Sequence, residues 1–326
     1  MNKRWIAVLL AALMLLFALQ ACAPVDQEDD GGNLNNPNES SQAGWRRTVL
    51  YYLSDEGYLV PVMKQLPWEE GIGKAALMQL VDTPQNREGL AKAGLNPVVP
   101  EGVTFELSIS DDEVGTVNLK DLPEVTDAAA EQNMVTAVVN TLLEFPTISS
   151  VQVLVDGKKV EKLAHGTSVK GQLGRIALNV EDGDLSVFSG EPYAFTLYLP
   201  NRTGSLNIPI TKYAESAPTF EMAVQAMITE GGGEGLASFP TGTELIDADI
   251  VDDIATVNFS SAFKDAMDTD GLTLALYDAI YLTACGFGSV SELRIQVDGK
   301  AYEIEAAAVS APLFVNELEA RTEHDG

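Results

Sequence analysis

Histidine, cysteine, basic residues and tryptophan are all scarce in this 326-residue chain, and each shortage excludes a class of chemistry. The two histidines are His165 and His324, and both lie outside the strand-and-helix segments found below. No Ser-His-Asp or Cys-His arrangement and no histidine-based metal cluster can therefore form within those segments. The two cysteines, Cys22 and Cys285, leave no disulfide framework once Cys22 is assigned to a leader. Lysine and arginine number 20 against 48 aspartates and glutamates, giving a formal net charge of −28. That balance argues against nucleic acid and anionic membrane surfaces as direct partners, and favours a basic protein surface or bound cations. Beyond the leader the only tryptophans are Trp45 and Trp68, little aromatic surface for a glycan binder.

The leader itself is legible. Lys3 and Arg4 precede a fifteen-residue apolar stretch, Trp5 to Leu19, which is short for a membrane span and normal for an export signal. It ends at Leu19-Gln20-Ala21-Cys22, a lipobox-like sequence in which Cys22 is the expected lipidation site and new N-terminus. Several acyl chains on one residue give the strength that stable anchoring needs. Residues 23–46 are polar and acidic, cannot bury enough surface to offset ordering entropy, and are expected to form a flexible tether. Flexible-chain scaling puts the tether's ends roughly 25 Å apart.

Past the tether the chain repeats itself. Val155-Asp156-Gly157-Lys158 returns as Val297-Asp298-Gly299-Lys300. The run from Asp112 to Leu119, with Val117-Asn118-Leu119, returns from Asp252 to Phe259, with Val257-Asn258-Phe259. Val117 and Val257 each follow a proline, Pro100 and Pro240, by 17 residues. Two copies are too few for a solenoid and imply tandem globular modules.

Periodicity predicts the same elements in each copy. In the first module, residues 47–163, strands are expected over Thr48–Leu53, Tyr58–Val62 (an edge strand, because of Pro61) and Val151–Val155. A hairpin is expected over Val103–Ile109 and Val114–Leu119, with helices over Lys74–Val81 and Glu131–Phe145. The second module, residues 192–308, repeats this order, with its long helix over Leu272–Thr283 and Asp270 as the helix cap. The predicted fold is α+β: two tandem β-α-β-β-α-β sandwiches with helices on one face of a small mixed sheet. Residues 164–191 form a connector whose Arg175–Val180 alternation predicts a docking strand, and residues 309–326 an acidic, frayed tail. Tyr52, Tyr198, Val117 and Val257 are expected in the core. Leu107 and Ile109 align with Asp247 and Asp249, so the second hairpin should be the more solvated.

Candidate chemistry is thin. Asp111-Asp112-Glu113 and Asp252-Asp253 carry the acidity that an acid–base pair or a calcium site would need, yet both fall at hairpin tips, where aspartate bonds its own backbone. Asp265 to Gly271 lacks the glutamate and the glycine position of a calcium loop. Gly231-Gly232-Gly233-Glu234-Gly235 follows a helix rather than opening one, so it reads as a helix stop and contact loop. His165 reads as a solvated loop residue. Cys285, aligned with Leu143, reads as a buried and unreactive thiol.

Together, the lipobox, the acidic tether, the repeated Val-Asn hairpin and the repeated Val-Asp-Gly-Lys turn resemble the sporulation and spore-germination lipoproteins built from two GerMN domains. The resemblance implies ring-building-type modules in a non-enzymatic envelope protein acting between the mother-cell and forespore membranes. The residues themselves offer no cofactor, metal or small-molecule site, and the expected partners are sporulation envelope proteins or further copies of the chain, met through exposed sheet edges and helix faces. A cell-wall glycan or peptide binder and a carboxylate-dependent wall hydrolase are the alternative readings.

Overall fold

Five consecutive buried residues, Thr48 to Tyr52, form the centre of β1 (Trp45–Ser54), whose two faces are both covered. Continuous burial suits the β-branched and aromatic run found there. The computed structural model describes residues 45–180, 191–266, 272–302, 316 and 318. The expected leader, Cys22, nearly all of the tether and the Asp270 cap lie outside them. Among the described residues no helix is long and apolar enough to cross a membrane.

β1 pairs along its length with β2 (Leu59–Pro67) in an antiparallel hairpin. Next come helices α1 (Ile72–Met78) and α2 (Pro84–Ala91) and the two-residue strand β3 (Leu95–Asn96). A mixed sheet then forms from β4 (Thr104–Ile109), β5 (Val114–Lys120), β6 (Ser150–Val155) and β7 (Lys158–Lys159), with helix α3 (Ala128–Leu143) crossing from β5 to its parallel neighbour β6. A parallel pair requires such a crossover. α3 begins at Asp127, whose carboxylate accepts from the Ala130 N–H at 2.8 Å, and its apolar face packs against β1 and β6.

The second module repeats the plan. β9 (Tyr193–Pro200) and β10 (Asn207–Ala214) form the hairpin, followed by α4 (Phe220–Glu230). β11 (Leu245–Val251), β12 (Ile254–Phe259), β13 (Glu292–Val297) and β14 (Lys300–Ala301) form the mixed sheet, and α5 (Leu272–Cys285) is the crossover. The parallel registers correspond pair for pair, Val114 with Ser150 to Leu119 with Val155, and Ile254 with Glu292 to Phe259 with Val297. The α+β class and the tandem repeat thus stand, with one refinement. Each module holds two sheets rather than one, because β1–β2 and β9–β10 do not join the mixed sheets; the long helices α3 and α5 pack against β1 and β9, and α3 against β6 as well. One contiguous apolar core runs through both modules and includes Tyr52, Val117 and Val257; Tyr198 is only half-buried.

The expected match of Leu107 and Ile109 with Asp247 and Asp249 is corrected by a β-bulge. β11 pairs Leu245 with Phe259 and Asp247 with Asn258, leaving Ile246 as an extra residue. Every later position slides by one. Ala248 therefore faces Val257 as Leu107 faces Val117, and Ile250 faces Ala255 as Ile109 faces Gly115. Asp247 takes the place of Glu106, opposite the repeated asparagine. The apolar side of the second hairpin is preserved, not solvated.

Helix α2 was not anticipated, since of its residues only Leu90 is buried. The signal was nevertheless present: Thr83 caps the helix by accepting from the Asn86 N–H at 3.2 Å, and Pro84 occupies the first helical position.

Candidate interaction surfaces

The two repeated motifs turn out to be halves of one device. Asp156 and Gly157 have φ of 46° and 75°, Asp298 and Gly299 of 50° and 73°, the pair of left-handed residues that a type I′ turn demands. The Gly157 N–H donates to Asn118 Oδ1 at 2.8 Å, and the Gly299 N–H to Asn258 Oδ1 at 2.9 Å. The Asp156 and Asp298 N–H groups donate to the carbonyls of Leu119 and Phe259 at 3.0 and 2.9 Å. The asparagine of one motif is thus the anchor for the turn of the other. Asn118→Ala should lower stability by about 1–2 kcal/mol, because it strips a partly buried turn N–H of its acceptor. Asn258→Ala should cost less, since its turn is exposed. Urea denaturation of the two variants side by side measures the difference.

The acidic tips are turn chemistry as well. Asp252 and Asp253, with φ of 50° and 63°, form a second two-residue turn, while Glu113, with φ of 60°, closes a three-residue loop. The carbonyls of Glu113 and Asp253 accept the N–H groups of Ser149 and Ser291, both at 2.8 Å, and so pin the start of each parallel strand. All five carboxylates are exposed. Among the described residues no three His, Cys, Asp or Glu side chains gather in a metal-binding arrangement.

The connector carries polar contacts that the sequence reading did not find. Glu131, fully buried on α3, accepts the backbone N–H of His165 at 2.8 Å and of Thr167 at 2.9 Å. Burial pushes its carboxyl up, but the bonds from His165 and Thr167 outweigh that and hold its pKa below the ordinary value. The His165 ring is exposed, as expected, with Nε2 2.8 Å from the Val125 carbonyl. Further on, β8 (Gln172–Leu173) pairs with β6. Arg175 donates to Glu144 and to the Tyr51 hydroxyl, both at 2.7 Å. Asn140 exchanges two bonds with the Ile176 backbone, at 2.8 and 2.9 Å. The strand expected over Arg175–Val180 is replaced by this side-chain docking, with a single bridge from Val180 to Thr211. Glu131 and Asn140 sit in the apolar run of α3, and a buried polar residue there signals a partner.

Cys285 departs from expectation. It is exposed at the end of α5, and its counterpart Leu143 is itself only half-buried, so the aligned position is not a core position in either module. Burial of its surroundings still pushes the thiol pKa up, which favours the protonated, less nucleophilic form.

Unsatisfied surface lies elsewhere. β4 and β11 are the terminal strands of their mixed sheets. Ile246 and Val251 on β11 are exposed, as is Ile109 at the tip of β4. Beside β11 a groove of about 480 Å³ runs along α4, lined by Met222, Gln225, Ala226, Leu245 and the carboxylates Glu221 and Glu230. Lys212 pairs with Glu230 at 2.6 Å. The glycine-rich loop is a contact loop within the chain: the Glu234 carbonyl accepts from the Tyr58 hydroxyl, and Gly235 lies so close to the Glu56 side chain that a Cβ would sit 2.4 Å from it.

The outer hairpin strands of the two modules, β2 and β10, face one another and are joined through asparagines. Asn179, from the connector, bonds Leu59 and Pro209; Asn316, from the tail, bonds Asn207 and Pro61. Of the tail expected to fray, the two described residues, Asn316 and Leu318, are seated here.

The comparisons agree with the duplicated plan. A family model described as "Germane: Sporulation and spore germination" matches residues 49–161 and again residues 196–303. The spore germination protein GerM of Bacillus subtilis (strain 168) is 23% identical over 269 residues, covering 77% of this chain and 71% of GerM. The solved structure of the tandem GerMN domains of the sporulation protein GerM from Bacillus subtilis superimposes with a TM-score of 0.64 at 23% identity, covering 84% of this chain and 99% of that one. Matched across both modules, the chain belongs to the Germane family of sporulation and spore germination proteins.

Proposed function

We propose that this chain serves sporulation and spore germination as a non-enzymatic, lipid-anchored envelope protein whose modules dock sporulation envelope proteins or further copies of itself. One observation carries the reading. The residues the two modules share are spent on turns and strand starts, while among the described residues β4 and β11 each pair with a neighbour on one side only. An open strand edge is a docking site for an extended segment of another protein. The formal charge of −28 favours a basic partner. Lipidation of Cys22 would hold the modules at the extracytoplasmic face of the membrane, between mother cell and forespore.

Photo-crosslinkers placed at Ser108 on β4 and Ile246 on β11 test this in sporulating cells. Discrete adducts with envelope proteins are expected from these sites, and none from the exposed Lys170 on the connector. Cys22→Ala should abolish palmitate labelling; a labelled, membrane-bound variant would remove the anchor from the proposal. Hydrolysis of purified wall by the soluble fragment would remove the non-enzymatic role.

A second reading has one observation in its favour. Trp45 pairs with Pro67, next to Trp68, so both exposed tryptophans stand at one end of the β1–β2 hairpin. Aromatic pairs of this kind suit glycan stacking. Saturable binding to purified wall that Trp68→Ala abolishes would favour this reading over protein docking.

A further inference from the structure

The duplicated fold separates what every module needs from what only one module carries. The tyrosine–proline pairs Tyr51–Pro61 and Tyr198–Pro209 match the two outer hairpins strand for strand. Carried outward along both strands, that register puts Pro192 where Trp45 stands and Ser216 where Trp68 stands. The second hairpin closes its outer end with Tyr193 paired to Ala214 and holds no tryptophan. The fold therefore requires an indole at neither place. Nor does burial explain them, since Trp45 is 43% exposed and Trp68 62%.

The end that bears them is firmly mounted. Trp45 pairs with Pro67 and Trp68 is the next residue, so both tryptophans sit at the open end of the β1–β2 hairpin. One pair inward, Arg46 lies opposite the buried Leu66, and its guanidinium stands 4.8 Å from the centre of the Phe145 ring, just past α3. A large ring on a fixed backbone loses little conformational freedom when a second body covers it. Formal charge at this end is balanced. Arg46 and Arg47 are matched by the exposed Glu69 and Glu70, so the acidity of the whole chain is not a local excess here. Exposed indoles without an excess of acid suit the boundary between lipid and water, where the ring sits among headgroups and its N–H stays hydrogen-bonded.

Position along the chain selects the partner. Twenty-two residues lie between Cys22, the expected lipidation site, and Trp45, the first described residue. Fully extended, such a stretch reaches at most about 80 Å. A linker of this length holds its two ends at an effective concentration on the order of millimolar. A contact too weak to recruit free protein thus forms once the anchor is in place.

We propose that Trp45 and Trp68 are a membrane-contacting foot, which seats the open end of the β1–β2 hairpin in the headgroup layer of the membrane that holds Cys22. This rests on the lipid-anchor reading and fixes which end of that hairpin meets the lipid.

The test attaches the chain chemically, so that natural lipidation is not needed. Protein lacking the leader, with Cys285→Ser leaving Cys22 as its sole thiol, is coupled to a maleimide lipid in phosphatidylcholine vesicles. Tryptophan emission is then compared on ordinary and on bromine-labelled acyl chains, which quench at short range. Bromine should cut the emission at least twofold. Trp45→Phe and Trp68→Phe, each with one indole left, should be quenched as well. A reporter at the matching end of the second module, Tyr193→Trp in a chain that also carries Trp45→Phe and Trp68→Phe, should keep its full emission. Emission of the coupled parent unmoved by bromine, or equal quenching of the Tyr193→Trp chain, overturns the foot. Indoles that ignore bromine but shift their emission on purified wall hand the pair to glycan stacking instead. The anchor is judged separately: absence of palmitate on Cys22 in cells removes it without touching the quenching, while palmitate on Cys22 with no quenching removes the foot alone.

Discussion

Phe259→Ala is expected to destabilise the second module by about 3–5 kcal/mol, the range for removing a fully buried aromatic ring. Phe259 is inaccessible to solvent and stacks on Phe263 with ring centroids 4.3 Å apart; Phe239 lies 5.8 Å away, and Tyr302 meets Phe263 edge-on at 6.1 Å. Removing its ring leaves a cavity that its two aromatic neighbours, Phe239 and Phe263, are too rigid to fill. The first module has Leu119 at this position, so Phe259→Leu should keep the apolar contact and cost about half as much. Trp45 and Trp68 both belong to the first module, so in protein lacking the leader and its Trp5 tryptophan emission reports on that half alone while circular dichroism reports on both. For Phe259→Ala the dichroism transition in urea should precede the emission transition. A loss below about 1.5 kcal/mol would contradict the packing of the cluster.

Glu131→Ala carries the second large effect. It leaves the N–H groups of His165 and Thr167 without their acceptor, each at a cost of about 1–3 kcal/mol where buried, and so should release the start of the connector from α3. Glu131→Gln keeps one acceptor and should lose about half as much. The pH dependence has a definite sign. Because the folded state holds this carboxyl below its ordinary pKa, its contribution is complete above the unfolded glutamate range, about 4.3, and fades as pH falls through the lower folded value. The gap between the parent protein and Glu131→Ala, measured by urea unfolding, should therefore be wide at pH 7 and narrow in strong acid. An undiminished gap in acid would mean that the carboxylate charge is not what the connector binds.

These residues also show what the sequence could and could not disclose. Strand alternation, helical spacing and the Asp-Gly turns are local signals, and the elements they predict are present in order in both modules. That Asn118 anchors the turn at Gly157 was hidden, because the partners are 39 residues apart and neither motif points to the other. The seam between β2 and β10 was hidden for the same reason at larger scale, with Asn316 and Pro61 separated by 255 positions. Buried polar residues offered the best unused clue. Asn140 and Glu131 interrupt an apolar helix face, where a polar group without a partner is costly. Comparing the copies without a gap failed at Ile246, since a bulge shifts pairing by one residue and reverses which side of the strand each later letter occupies.

That single inserted residue makes the two modules unequal hosts. A kink of this kind is one of the ways proteins guard a bare sheet margin against unwanted lodgers, and it twists β11 away from the straight path a visiting strand would follow. β4 pairs with its neighbour without interruption from Thr104 to Ile109. An incoming chain that seeks a long regular margin will find it on the amino-terminal half, while the carboxy-terminal half offers only the shorter uninterrupted stretch from Asp247 to Val251.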